Sequence, residues 1–265
     1  MKGKTVKDYY NLYLGDCLEV MKDIPDRSID LVLADPPYGI THCKWDTVIP
    51  LEPMWQQLNR VSRGSIVLFA GQPFTSVLIC SNLRHFKHTW TWEKDSASNF
   101  LSAKKMPLKV TEDICVFRST RCKKSVYNPQ MEKGEWRRIS KRPTNERQYE
   151  QYGKVNFKLA PGGGETNVRY PRNLLRYPIP QRSADIHPTQ KPVPLLQYLI
   201  QTYSNAGDKV LDFCMGSGST GVAAITLGRY FVGIEREEKY YKVADRRLKE
   251  CIDDDIFFAN NFKKK

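Results

Sequence analysis

The sequence has no run of about 18 or more apolar residues, which excludes a helical membrane span. It has no C-x-x-C pair either. Its seven cysteines, at 17, 43, 80, 115, 122, 214 and 251, are scattered along 265 residues. An odd, dispersed set indicates neither a zinc site nor a disulfide framework, and reads as buried thiols in a reducing cytoplasm. No apolar stretch follows Met1-Lys2-Gly3-Lys4, so no signal peptide is expected. No internal repeat is visible. Negative charge is scarce: 29 Asp/Glu stand against 42 Lys/Arg, a net of +13. A chain of this length can bury one sizeable α/β core and carry a smaller module beside it.

The surplus charge is concentrated. From Ser119 to Asp185 there are 15 Lys/Arg and 6 Asp/Glu, a net of +9, which leaves +4 for the other 198 residues. A solvated basic face would serve solubility alone. Here the charge is interleaved with Tyr127, Trp136, Tyr149, Tyr152, Phe157, Tyr170 and Tyr177, which points instead to a polyanion partner. Lys263-Lys264-Lys265 reads as a solvated end.

Periodicity organises the rest. Strands are expected at Tyr10–Leu14, Ile29–Ala34, Ser65–Ala70, His88–Glu93, Asp113–Phe117, Lys209–Phe213 and Tyr230–Ile234. Helices are expected at Cys17–Met21, Pro53–Val61, after Pro73, and at Leu195–Tyr203, Thr220–Leu227 and Glu237–Cys251. A polar segment runs from Lys94 to Glu112. Strands alternating with helices imply a mostly parallel sheet covered on both faces. From Ser119 periodicity weakens, and Pro161-Gly162-Gly163-Gly164 breaks any regular element. The expected organisation is therefore one α/β domain, 1–118 plus 186–265, interrupted by a loop-rich insertion at 119–185.

Two turns carry chemistry. Asp35-Pro36-Pro37-Tyr38 follows the apolar strand 29–34. The two prolines have fixed φ and no N–H, so their carbonyls are free to accept hydrogen bonds. Asp35 adds a carboxylate and Tyr38 a flat face. Such a site suits an amino group on a planar ring, such as the exocyclic amine of a nucleobase taken out of its helix. An ordinary strand-to-loop turn is the plainer alternative.

The second turn is Asp212-Phe213-Cys214-Met215-Gly216-Ser217-Gly218-Ser219-Thr220-Gly221. A strand, a glycine turn and a helix N-terminus make a place where a ligand can approach the backbone closely. The next strand ends at Glu235, where an acid commonly binds ribose hydroxyls. Gly216, Gly218 and Gly221 fit G-x-G-x-x-G, so a nicotinamide enzyme competes for this segment. A third element, His187-Pro188-Thr189-Gln190-Lys191-Pro192, precedes the helix at 195 and could be no more than a linker.

Taken in order, these segments resemble the β-class SAM-dependent DNA amino-methyltransferases, which act on N6 of adenine or N4 of cytosine. The likeness spans almost the whole chain. It includes Leu14-Gly15-Asp16-Cys17-Leu18, Asp35–Tyr38, Trp45-Asp46, Trp92-Glu93-Lys94, Tyr127-Asn128-Pro129-Gln130, Tyr170-Pro171-Arg172-Asn173, His187–Pro192 and the glycine turn. The nicotinamide reading accounts for neither Asp35–Tyr38 nor the basic insertion.

The resemblance implies a doubly wound, seven-stranded, circularly permuted sheet, with 119–185 as target-recognition module. It implies SAM as cofactor and no metal. Asp35, Pro36, Pro37 and Tyr38 would be catalytic. Asp35 would also lie beside the cofactor. Asp212, Phe213, Cys214, Gly216, Ser217 and Gly218 would surround the amino-acid end of SAM, with Cys214 contacting through its backbone. Glu235 would take the ribose, Asp16 and Cys17 the adenine end, and Thr189 and Lys191 would close over the methionine end. A C5-cytosine enzyme would need a Pro-Cys nucleophile, and the sequence contains no such dipeptide.

Asp at the first motif position favours adenine over cytosine N4. The remaining alternatives are N4-cytosine, RNA as substrate, and a nucleic-acid-binding protein with a vestigial cofactor site. Double-stranded DNA is the implied partner. A homodimer and a cognate restriction endonuclease come with the family, as does a location at the nucleoid in the cytoplasm of a prokaryotic or phage-infected cell.

Overall fold

A computed structural model describes residues 9–40, 46–120, 122, 125–138, 165–180 and 190–262. In chain order the strands are β1 (Tyr10–Leu14), β2 (Ile29–Ala34), β3 (Ser62–Ala70), β4 (Phe86–Glu93), β5 (Thr111–Arg118), β6 (Glu132–Arg138), β7 (Glu165–Arg169), β8 (Leu174–Arg176), β9 (Lys209–Asp212) and β10 (Tyr230–Glu235). The helices are α1 (Cys17–Asp23), α2 (Leu51–Val61), α3 (Phe74–Ser81), α4 (Val193–Tyr203), α5 (Ser219–Thr226) and α6 (Glu238–Phe262).

The main sheet has eight strands in the order β1-β10-β9-β2-β3-β5-β4-β8. Its first five strands are mutually parallel, β5 runs antiparallel to β3 and β4, and β8 runs parallel to β4. This is the α/β, mostly parallel architecture expected, with one strand more than seven. The eighth is supplied by Leu174–Arg176, within the stretch expected to be insertion. Arg176 Nε donates to Glu93 on β4 at 2.6 Å, and the Trp92 indole N–H donates to the Tyr177 carbonyl at 2.8 Å. These bonds hold the short edge strand in place.

Burial on both faces explains the continuous apolar runs. Successive strand residues point to opposite sides. Leu31, Leu33, Val67, Phe69 and Val210 pack with Leu195, Leu199, Ala223 and Leu248 of α4–α6. Val32, Ala34, Ile66, Leu68 and Leu211 pack with Met21, Met54, Leu58 and Leu78 of α1–α3. The path therefore steps one way from β2 to β3 and the other way from β9 to β10. It reverses between the neighbours β9 and β2. In open α/β sheets a crevice opens outside the carboxyl ends of the strands at such a switch point.

Residues Pro129–Arg172 form a second compact unit. Its described part is an antiparallel pair, β6 with β7, within the stretch expected to be a loop-rich insertion. The unit is narrower than 119–185 because both flanks are tied into the main unit. On one side the Ser119 hydroxyl donates to the Ser62 carbonyl, and Asn128 donates to the carbonyls of Gln201, Thr202 and Ser204. On the other side 174–176 join the sheet. Tyr149, Tyr152, Phe157 and Pro161–Gly164 lie outside the described residues, as do Lys263–Lys265.

Candidate active site

Asp35 leaves the end of β2 and Asp212 ends β9, so neighbouring strands deliver both acids to one cavity of about 530 Å³. The cavity is also lined by Asp16, Cys17, Pro36, Pro37, Tyr38, Lys191, Phe213, Cys214, Gly216, Ser217 and Glu235. Of the residues singled out in the sequence, Gly218 is not part of this lining, and Thr189 lies outside the described residues.

The Asp35–Tyr38 turn is held by Asp46 and by one bond between its own side chains. Pro36 and Pro37 have no N–H, so the first donors after Asp35 are the amides of Tyr38, Gly39 and Ile40. All three donate to the buried Asp46 carboxylate, at 2.8, 2.9 and 3.0 Å. Asp46 is the first acid after the turn, and a row of amides without local acceptors was the available signal for it. The Tyr38 ring stacks on Phe74, centroids 5.3 Å apart and planes 20° off parallel. Its hydroxyl donates to Asp35 Oδ1 at 2.5 Å.

Lys191, just ahead of α4, donates to Asp35 Oδ2 at 2.5 Å. The same ammonium lies 3.4 Å from Glu112 Oε2, an ion-pair distance without hydrogen-bond geometry, and 5.1 Å from the Phe69 ring centroid. Glu112 also accepts from Lys94. A chain of alternating charge thus runs Lys94, Glu112, Lys191, Asp35. Burial pushes the Asp35 carboxyl up and Lys191 pulls it part of the way back. Burial likewise works against charge at Glu112 and Lys191, but their ion pairs outweigh it, holding Glu112 below and Lys191 above the usual range. Glu112 was read in the sequence only as the end of a polar segment, and Lys94 as its start and as part of Trp92-Glu93-Lys94, with no partner assigned to either.

The glycine turn is organised around two acids. Gly218, at φ +77°, opens α5, and a Cβ there would sit 2.9 Å from that of Ala244 on α6. The left-handed backbone and tight helix packing both require glycine at this position. Glu235 Oε2 accepts the Gly216 amide and Oε1 the Glu237 amide, each at 2.8 Å, and burial raises its carboxyl. Asp212 accepts the Cys214 amide at 3.0 Å and a hydrogen bond from Thr220. No cation faces it among the described residues. Burial pushes its carboxyl to about 7. Asp16 caps α1, accepting the Leu18 amide at 2.8 Å. Cys17 and Cys214 are hydrogen-bonded to each other, which holds the Cys17 thiol below its usual range, while burial keeps Cys214 well above.

A family model for DNA methylases of the N6/N4 type matches residues 29–246. The chain belongs to the DNA methylase family. The DNA adenine methyltransferase YhdJ of Escherichia coli K12 is 32% identical over 251 residues, covering 88% of this methylase and 81% of YhdJ. The type II methyltransferase M.HinfI of Haemophilus influenzae is 25% identical over 280 residues, covering 94% and 71%. Among solved structures, M1.HpyAVI in complex with SAM aligns at a TM-score of 0.62 and 25% identity, over 90% of this methylase and 98% of that chain. The cytosine-N4-specific PvuII DNA methyltransferase, 16% identical, shares the fold at a TM-score of 0.61. This chain is thus an enzyme of DNA methylation, and no helix among its described residues is long and apolar enough to cross a membrane.

Proposed function

We propose that this methylase transfers a methyl group from SAM to the exocyclic N6 amine of an adenine flipped out of double-stranded DNA. The observation that carries the reading is the meeting, in one cavity, of the acceptor turn Asp35–Tyr38 with the acid-lined glycine turn Asp212–Gly218. Adenine is favoured by the Asp at position 35 and by the name of the relative YhdJ.

The cavity suits SAM. Its volume of about 530 Å³ lies within the roughly 300–1,000 Å³ usual for ligand pockets. Asp212 is a buried carboxyl that no cation faces among the described residues, and an amino-acid ammonium would complete it. Asp16, Cys17, Glu235 and the backbone of Phe213–Gly218 would hold the rest. When bound, SAM supplies an electrophilic sulfonium methyl.

The chain's own residues do the remaining work. Flipping the base costs a few kcal/mol. Tyr38, backed by Phe74, offers its ring to the base, and such stacking recovers roughly 1–3 kcal/mol. A carboxylate has about four lone-pair positions, so Asp35 can accept an amine hydrogen while keeping Tyr38 and Lys191. The Pro36 carbonyl accepts the other hydrogen. Two accepted N–H bonds draw the nitrogen away from planarity and expose its lone pair. Lys191 keeps Asp35 an acceptor by stabilising its charge. Catalysis is then mostly alignment, with no covalent intermediate.

The stretch 119–185 supplies phosphate contacts and base readout. If about five phosphates are engaged, the log–log salt slope of DNA binding should be about −4.5. The same reading places the enzyme at the nucleoid in a prokaryotic cytoplasm, as a homodimer with a cognate restriction endonuclease. The deciding experiment uses methyl-labelled SAM and mixed-sequence duplex DNA, followed by digestion and mass spectrometry. Label on N6-methyldeoxyadenosine is expected. Label on N4-methyldeoxycytidine would keep the mechanism and overturn the base, and label on RNA alone would overturn the substrate.

A further inference from the structure

We propose that the excursion between β4 and β5 is a wedge that enters the DNA stack beside the target base, with Phe100 and Leu101 filling the space the flipped base leaves. The inference rests on duplex DNA as the substrate.

The apolar side chains here are displayed rather than buried. Leu101 is 88% exposed and Phe100 69%, and Met106 and Leu108 are exposed on the same excursion. Concentrated exposed apolar surface marks a contact with something. The segment is also built to hold its shape. Asn99 Nδ2 donates to the Pro107 carbonyl at 3.0 Å, its Oδ1 accepts the Lys109 amide at 2.5 Å, and the Ser98 amide donates to the Lys109 carbonyl at 3.1 Å. A short helical turn, Phe100–Ser102, presents the apex.

Position and charge select the occupant. Ser98, Asn99 and Lys109, at the base of the excursion, line the same cavity as Asp35 and Tyr38. Lys104 and Lys105 stand exposed beside the apex. An apolar tip flanked by cations suits a surface that is apolar between its base pairs and anionic along its edges. Phe and Leu are side chains that proteins insert between base steps. A wedge here would act next to the site where an unpaired base must be held out.

The test compares two duplexes carrying the mapped target. In one the target base is paired; in the other it faces an abasic position and is already unpaired. The F100A/L101A double variant should lose roughly tenfold or more in kcat/KM on the paired duplex and less than about twofold on the unpaired one, because only the first needs flipping. Its SAM affinity should match the wild type, which also reports a folded cavity, and Leu101→Met should restore most of the activity. Equal losses on both duplexes, or none on the paired one, would overturn the wedge alone. Unchanged methylation with altered self-association would overturn it in favour of a protein contact. A wild-type enzyme that methylates neither duplex would overturn the methylation reading and the wedge with it.

Discussion

Asp35 and Asp212 stand at the ends of adjacent parallel strands, in register through Leu31–Val210 and Val32–Leu211, yet their surroundings differ. Burial raises both carboxyls. Asp35 is given an ammonium and a phenol, 2.5 Å away on either oxygen. Asp212 is given an amide and a hydroxyl but, among the described residues, no cation, and is left at about 7. One acid has its counter-cation beside it before any ligand arrives; under the proposed function the other receives a cation from the ligand. The contrast suits an acceptor that must work at every turnover and a binding group that is completed by what it binds.

The sharpest way to separate the two acids is to remove them one at a time. Asp35→Ala should abolish methylation, lowering kcat by at least about 10²–10³, the range for deleting one organised active-site hydrogen-bonding group. SAM affinity by calorimetry should stay within about twofold. Loss of SAM binding would show that Asp35 serves the cofactor more than the base.

Next in size is the effect of depriving Asp35 of its cation. Lys191→Met removes the ammonium from between Asp35 and Glu112, and an opposite charge at this distance moves a carboxyl by about 1–3 pH units. The pH profile of kcat should therefore keep its shape while its acid limb moves upward, with the largest loss below neutral pH. A uniform loss at all pH values would mean that Lys191 acts only by position.

Asp212→Asn tests the other half, with a smaller effect on binding of roughly tenfold or more. In the wild type SAM should bind more tightly as pH rises towards about 7, where the carboxyl ionises, and level off above. The variant should lose that slope. Stability gives a second readout. A carboxyl raised in the folded state from 3.8 to about 7 destabilises the fold, by nothing below about 4 and by about 4 kcal/mol above about 7. Without SAM, Asp212→Asn should melt higher than the wild type at pH 8 and equal to it near pH 4. A variant that melts lower at pH 8 would mean that the charge is already compensated.

The strands that deliver these acids were legible because a strand buried on both faces is a continuous apolar run: Ile29–Ala34 was read to the residue. The turns were legible because prolines and glycines restrict backbone in ways visible without a structure. Lys191 as partner of Asp35 was not, since the pair is 156 residues apart in sequence and any of many lysines could have filled the place. The β6–β7 pair was hidden because its two strands are charged, lack an alternating apolar pattern and lie far apart in sequence. β8 is three residues long and bracketed by Pro171 and Pro178, so it carries too little pattern to be read. The Lys94–Glu112 stretch read as polar because its four lysines and its scattered Ser, Asn and Asp break up the apolar residues, although those residues are the ones displayed.

The smallest expected effect concerns what Tyr38 gives to Asp35. Tyr38→Phe keeps the ring on Phe74 and removes only the hydroxyl that donates to Oδ1. Lys191 still holds the other oxygen, so the loss should be near that of one ordinary hydrogen bond, about 1 kcal/mol or roughly fivefold in kcat. Tyr38→Ala removes the stacking surface too and should cost a further 1–3 kcal/mol or so, read in kcat/KM for DNA. The two variants divide the residue between its acid-holding and base-holding roles. If Phe and Ala prove equally impaired, the hydroxyl alone matters and the stacking role falls. If Phe matches the wild type, Asp35 is organised by Lys191 alone, and the contrast with Asp212 reduces to the presence of one ammonium.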